Sequence, residues 1–400
     1  AAQLGGRARR VPRPGFALDN GQHLMLGAYR ATRALLDRLQ ATPMVALRPL
    51  AMAPFAPDQP DALFMTAWRL PAPFNLLMGI LSARGFTWTE RVATLVWFAR
   101  LKAAHYRCPA SQTVEAMTAS LPSAVAVRLW HPLCLAALNT PAARASAQVF
   151  ANVLRAAFGE GGRGSDMLAC RTDLGALVPD ATKAWLESRG HRVHLQSTAT
   201  IVDSGAGGIR LGTQHAQRVF RGAVIAVAPH QLAHVLSPAL AAREPSLRAA
   251  ADLVQALEWE PITTAYLGYA HTIALPDAMI RLDDAPGQWL FARPDIVQSA
   301  ADDAPRLAAI VAVVLSAHGA HDALPHATLA AAVDRQLRNR RPDWPALAWS
   351  QVIEEKRATY ACTPASIRPS AGLIVPGLAL AGDYTDDEFP ATLEAAVRSG

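Results

Sequence analysis

Residues 377–400 narrow the choice of fold more than any other stretch of this 400-residue chain. An apolar run, Gly377-Leu378-Ala379-Leu380-Ala381, ends in Gly382-Asp383. A short acidic loop follows, and a helix is expected to open on Pro390-Ala391-Thr392. A buried strand that hands a glycine and a carboxylate to a helix N-terminus builds a seat for a nucleotide. The glycine lets backbone approach the ligand, Asp383 can accept hydrogen bonds from sugar-type hydroxyls, and the first helical amides are free donors at the positive end of the helix dipole. Pro390 suits the first turn, where its missing N–H is not needed. From this segment alone, an ordinary strand-turn-helix with a surface aspartate reads as well.

With 51% hydrophobic and 18% charged residues, the chain has material for a large buried interior, and its length calls for two interleaved domains rather than one core. No apolar stretch has the length of a membrane span; the longest, Leu307 to Leu315, is short, β-branched and strand-like. Cys108, Cys134, Cys170 and Cys362 are scattered without a C-x-x-C pair. That favours a reducing, cytoplasmic setting and speaks against a disulfide framework or a zinc site. The formal charge of +6 is carried mostly by single arginines, with no basic run interleaved with aromatics, so nucleic acid is not an expected partner. Peripheral contact with an anionic membrane surface is one use for that charge, and a generically basic protein is the other reading.

Periodicity predicts a helix over 24–40, with Leu26, Tyr29, Leu35, Leu36 and Leu39 on one face, and a mostly helical block over 89–158 in which Thr89 caps the first helix. A helix from Pro179 to Arg189 should stop at Gly190. Strands are expected at Arg192–Leu195, Ala199–Asp203, Ile209–Leu211, 222–229, Thr263–Ala270, Trp289–Arg293, Leu307–Ser316 and Trp349–Arg357, with a helix near Thr328–Leu337. A formal G-x-G-x-x-G at Gly159, Gly161 and Gly164 follows a helical pattern instead of a strand, so it reads as a loop. His318, His321 and His326 lack the companions of a metal site and read as surface residues; no metal is expected.

At the other end stand Leu4-Gly5-Gly6-Arg7-Ala8-Arg9 and Asp19-Asn20-Gly21-Gln22-His23. LGGRAR, a D-x-G-x-H segment and a terminal GDYTD-x-x-PAT resemble the FAD-dependent amine oxidase and phytoene desaturase superfamily. Within it, ALDNGQHLMLGAYR, VIEEKRATYACTP and LALAGDYTDDEFPATLEAAVRSG look like the hydroxysqualene dehydroxylases. The resemblance spans the chain and is weakest over 50–150. It implies an α/β fold: an FAD-binding Rossmann-like core over 1–42, 160–238 and 370–400, and a discontinuous α+β substrate domain over 43–159 and 239–369. In that superfamily LGGRAR follows a first strand and its G-x-G-x-x-G turn. Only three residues precede Leu4 here, so the sequence is expected to be cropped at both ends and to lack the principal phosphate-binding turn.

The same resemblance implies that FAD contacts Gly5, Gly6, Arg7, Gly382, Asp383, Ala391 and Thr392. It implies reductive removal of the hydroxyl of hydroxysqualene, a lipophilic isoprenoid, with Gln22 and His23 beside the substrate. His23, with an ordinary pKa near neutrality, would be the proton donor. Asp386, beside Asp387 and Glu388, is a second candidate acid, since clustered carboxylates can raise one pKa. Lys356 shares a strand face with Glu354 and would order water or charge near a flavin if buried; an exposed ion-paired strand is the other reading. A carotenoid-type desaturase, an amine oxidase, and a non-catalytic fragment or scaffold unable to bind FAD stay open as alternatives.

Overall fold

The computed structural model describes residues 2–55, 62–159, 163–205, 207–213, 216–294, 296, 306–364 and 366–400, and shows the expected α/β fold. Gly161, part of the glycine motif weighed above, lies outside these residues. The largest element is a seven-stranded sheet in the order Leu347–Tyr360, Trp259–Tyr269, Ala309–Ser316, Trp289–Ala292, Met279–Arg281, Ala51–Pro54, Met65–Thr66. Its neighbours pair antiparallel except Met279–Arg281 with Ala51–Pro54.

The run 309–315 is apolar throughout because both faces of this sheet are covered. Val311, Val313 and Leu315 pack with Leu329, Val333 and Leu337 of the helix His326–Arg340. Ile310, Ala312 and Val314 turn to the opposite face, into the cluster that holds Tyr266, Trp289 and Phe291. Strand alternation thus assigns every second residue to a cavity-facing layer. The helical block over the cavity is observed, but its first helix, Trp88–Ala103, is capped by Thr87 and not Thr89. Thr87 Oγ1 accepts the Glu90 amide, while the Glu90 carboxylate accepts the Thr87 N–H at 2.7 Å, a reciprocal capping box.

The strands Ala223–Ile225 and Leu378–Leu380 run parallel, with Ala223 opposite Leu378 and Ile225 opposite Leu380. The first is shorter than its sequence pattern suggests, and Val224 is exposed where burial was expected. The stretch Arg192–Leu195 forms no strand. The helix read over 24–40 is also shorter: Met25–Leu26 pairs as a strand with Leu168 and Met167, Tyr29 is the N-cap, and the helix covers Arg30–Arg38. His321 is buried, unlike the exposed His318 and His326.

The last helix runs Leu393–Ser399, so Pro390 lies outside it; Thr392 is the N-cap, accepting the Ala395 amide at 3.1 Å. This helix closes the fold through one side chain. The buried Glu394 carboxylate accepts the N–H groups of Ala31 and Thr32, each at 2.9 Å, and the Thr32 hydroxyl at 2.8 Å. It therefore supplies, from the far end of the sequence, the cap that Tyr29 cannot give to the Arg30–Arg38 helix. Glu394→Ala is expected to lower stability by about 3 kcal/mol, since it strands donors buried at that helix start. Glu394→Gln, which keeps one acceptor oxygen, should cost less. Chemical denaturation measures both, and an unchanged midpoint for the alanine variant would refute the cap.

Among the described residues, no helix is long and apolar enough to cross a membrane. No group of three metal-ligating side chains occurs among them either.

Candidate active site

Between the large sheet and the helical block lies a cavity of about 1560 Å³, mouth included. Its sheet-side wall carries Ile262, Met279, Trp289, Phe291 and Val314; its helical wall carries Leu133, Ala137, Phe150, Val153 and Leu154. No Asp, Glu, Lys or Arg is among its described lining residues.

Several of the polar groups in the wall are already committed. Asn139 Nδ2 donates to Thr359 Oγ1 at 2.9 Å and to Pro261 O at 3.1 Å, and its Oδ1 accepts the Ala317 amide. Ser165 Oγ accepts from Asn75 at 2.7 Å. Two polar clusters interrupt the apolar wall: Gln22 with His23, and Tyr29 with Thr392.

The first cluster is held from behind by a buried ion pair. Arg293 reaches Asp19 Oδ2 at 2.8 Å and Gln22 Oε1 at 2.8 Å, and the Leu174 amide donates to Asp19 Oδ1 at 2.8 Å. His23 Nδ1 lies 2.8 Å from Gly21 O. A carbonyl only accepts, so Nδ1 carries the proton and the neutral ring keeps a lone pair at Nε2. Burial pushes the His23 pKa below its ordinary value, outweighing the Gly21 carbonyl and Asp19, which act the other way. His23 is therefore neutral near pH 7 and holds no spare proton, contrary to its expected part as the acid. A histidine whose folded pKa is lowered takes up its proton more readily when unfolded. Its contribution is intact above the ordinary value of 6.5 and is lost as pH falls from there toward the folded value. His23→Gln should flatten that part of the stability curve in denaturation titrations below neutral pH; an unaltered slope would contradict a depressed His23.

The second cluster behaves in the opposite sense. Burial, with a contribution from Glu394, raises the Tyr29 pKa above its ordinary value, against a hydrogen bond with Thr392. Tyr29 keeps its proton and offers the cavity an O–H donor.

The two chain ends meet beside this cavity. Arg7 NH2 bonds Asp383 Oδ1 at 2.6 Å, and Arg7 NH1 donates to Ala358 O at 2.6 Å. Gly5 and Gly6 sit at φ of +103° and +57°, in the tight turn closed by the Ala8 amide on Gly5 O. Gly382 has φ +154° and ψ 161°, a region open essentially to glycine, and a Cβ there would lie 2.4 Å from the Tyr384 ring. Ala391, Thr392 and Leu393 carry this turn into the cavity wall.

Two expected site residues are not brought in. Asp386 is buried, but Oδ1 accepts the Glu388 and Phe389 amides, each at 2.9 Å, and Oδ2 faces Arg398 Nε at 3.1 Å. Its carboxylate organises the acidic loop and does not line the cavity. Asp387 is exposed, and Glu388 is bridged to Arg155 and Arg398. Lys356 is exposed, not buried, and the same holds for Glu354. The register explains this: Glu260 faces Thr359 while Ile262 faces Glu355, so Lys356, Arg357 and Ala358 bulge from the ladder.

Residues 2–400 match the family described as flavin containing amine oxidoreductase. The chain belongs to that family. It is 29% identical over 282 residues to the hydroxysqualene dehydroxylase of Rhodopseudomonas palustris, covering 68% of this chain and 60% of that protein. It is 26% identical over 418 residues to the enzyme of the same name from Sinorhizobium fredii, covering all of this chain and 88% of that one. Among solved structures, an oxidoreductase from Methanosarcina mazei superposes with a TM-score of 0.71 at 12% identity, over 98% of this chain and 90% of that chain. Reduced UDP-galactopyranose mutase gives 0.65 at 13% identity, over 99% and 84%.

The residues around the joined chain ends suit a member of a flavin-containing family. Buried polar atoms are normally paired, yet Thr264 Oγ1, His230 Nδ1 and the Tyr384 hydroxyl lack a hydrogen-bond partner among the described residues. Tyr384 adjoins Asp383, Thr264 Oγ1 faces Gly21 at 3.8 Å from a built Cβ, and His230 feels the charges of Arg7 and Arg357. Buried polar groups left without a partner near Asp383 and Gly21 fit a polar ligand.

Proposed function

We propose that this protein is an FAD-dependent oxidoreductase that removes the hydroxyl of hydroxysqualene to give squalene. The observation that carries the reading is the cavity itself: apolar and free of charged side chains among its described lining residues, with His23 and Tyr29 among the few polar groups in its wall. The names of the relatives from two bacteria support it. An amine substrate, as a cation, would be costly to bury in a wall with no carboxylate, which disfavours the amine oxidase alternative.

In this reading Gly5, Gly6, Arg7, Gly382, Asp383, Ala391 and Thr392 hold FAD. Bound and reduced, it supplies the hydride that replaces oxygen on carbon. The C–O bond breaks, the hydroxyl takes the proton of the Tyr29 O–H and leaves as water, a C–H bond forms from the hydride, and Tyr29 regains a proton when the site reopens. The chain's own part is to bind the hydrocarbon along the apolar wall, exclude water, and place the hydroxyl by the Tyr29 O–H. His23, neutral and fixed by Gly21, accepts a hydrogen bond from that hydroxyl through Nε2. Product analysis of the reduced protein, supplied in parallel with hydroxysqualene, phytoene or cyclohexylamine, tests this. Squalene as the sole product supports it; turnover of phytoene or the amine with hydroxysqualene untouched overturns it.

A further inference from the structure

The stretch from Ala62 to Thr113 carries Arg69, Arg84, Arg91, Arg100, Lys102 and Arg107 against a single carboxylate, Glu90. Nearly all the net charge of +6 therefore resides here. Glu90 is tied into its capping box and faces Arg128 at 3.9 Å, so it offers little negative field outward. The same stretch displays large apolar side chains that a folded monomer normally covers: Trp88 is 67% exposed and Phe74 56%, with Trp68, Leu70, Val92 and Val96 also exposed.

These side chains form one connected patch. Trp68 Nε1 donates to Ser82 Oγ at 3.1 Å, at the end of the helix Phe74–Ser82. Next to it, Arg91 donates to Leu81 O at 2.8 Å and stacks on the Trp88 ring at 4.7 Å. Trp88, Val92 and Val96 then continue at four-residue spacing along one stripe of Trp88–Ala103, ending beside Arg100. The patch also touches the wall of the cavity, because Asn75, adjacent to Phe74, is the residue bonded to Ser165.

We propose that this face docks on an anionic lipid bilayer, with Trp68, Leu70, Phe74 and Trp88 entering the interface and the arginines meeting lipid phosphates. Indole and phenyl rings settle at the headgroup level, and each basic side chain near a negatively charged leaflet adds attraction that salt screens. Charge complementarity selects this occupant: a second copy of the chain would set this basic patch against its like. The docking goes beyond the reaction proposed above and does not depend on it.

The test is sedimentation of the full chain with vesicles of phosphatidylcholine alone or mixed with phosphatidylglycerol. Binding is expected to the mixed vesicles, to weaken with added salt, and to fall at least tenfold in Phe74→Ser/Trp88→Ser. Arg69→Glu/Arg100→Glu should lose binding while keeping the far-ultraviolet spectrum and melting temperature of the parent, which separates docking from folding. Equal binding by all forms, or none by the parent, overturns the proposal. A lipid-free dimer that Phe74→Ser/Trp88→Ser dissolves would also overturn it, assigning the face to a protein contact.

Discussion

Tyr29→Phe is expected to lower kcat with hydroxysqualene by about a hundredfold or more while leaving KM within a few fold. The phenyl ring keeps the packing at the start of the Arg30–Arg38 helix, so the variant loses the O–H and its hydrogen bond with Thr392. Tyr29 keeps its proton because burial raises its pKa, whereas burial drives His23 toward the neutral form. In the proposed reaction the two groups would divide donor and acceptor duties at the substrate hydroxyl. His23→Gln retains a hydrogen-bonding side chain and should cost less. If Tyr29→Phe turns over at the parental rate, the hydroxyl is not placed at that cluster. Single-turnover rates, which separate chemistry from product release, are the appropriate readout.

Gly382→Ala should destabilise the fold by about 3 kcal/mol or more and abolish flavin retention. Two independent effects add. The backbone at φ +154° and ψ 161° excludes a side chain on its own account, and the new methyl would meet the Tyr384 ring at 2.4 Å. Tyr384 is wholly buried beside Asp383, so it has nowhere to retreat without moving the Arg7–Asp383 pair. Flavin absorbance per chain after purification, together with the unfolding midpoint, reports both losses. A soluble variant with parental flavin content and midpoint would show that the turn is not held as described.

The sequence made some of this architecture readable and concealed the rest for physical reasons. The strand Leu378–Leu380, the glycine and aspartate after it, and the Ala309–Ser316 strand with its apolar run over 309–315 were legible from the local sequence alone. The meeting of Arg7 with Asp383, 376 residues apart, was legible only through family resemblance, since no local pattern encodes it. His23 lines the cavity, but its protonation depends on burial, which a motif does not carry. Tyr29 escaped notice because it stood on the apolar face of an expected helix; its position as N-cap turns it into the cavity instead. Lys356 was open to two readings, buried or on an exposed strand, and the exposed one holds, with Glu354 exposed alongside it. Asp386 matched a pattern whose function in this chain is to bind two loop amides.

The central claim is that the joined chain ends seat a flavin against a cavity made for a neutral isoprenoid alcohol. Anaerobic mixing of the photoreduced protein with hydroxysqualene, followed by flavin absorbance and squalene quantitation, tests it most directly. The account predicts that the oxidised flavin spectrum returns, with one squalene formed for each flavin reoxidised. Flavin that stays reduced in the presence of hydroxysqualene, while the oxidised protein is bleached by a polyene or an amine, would contradict it.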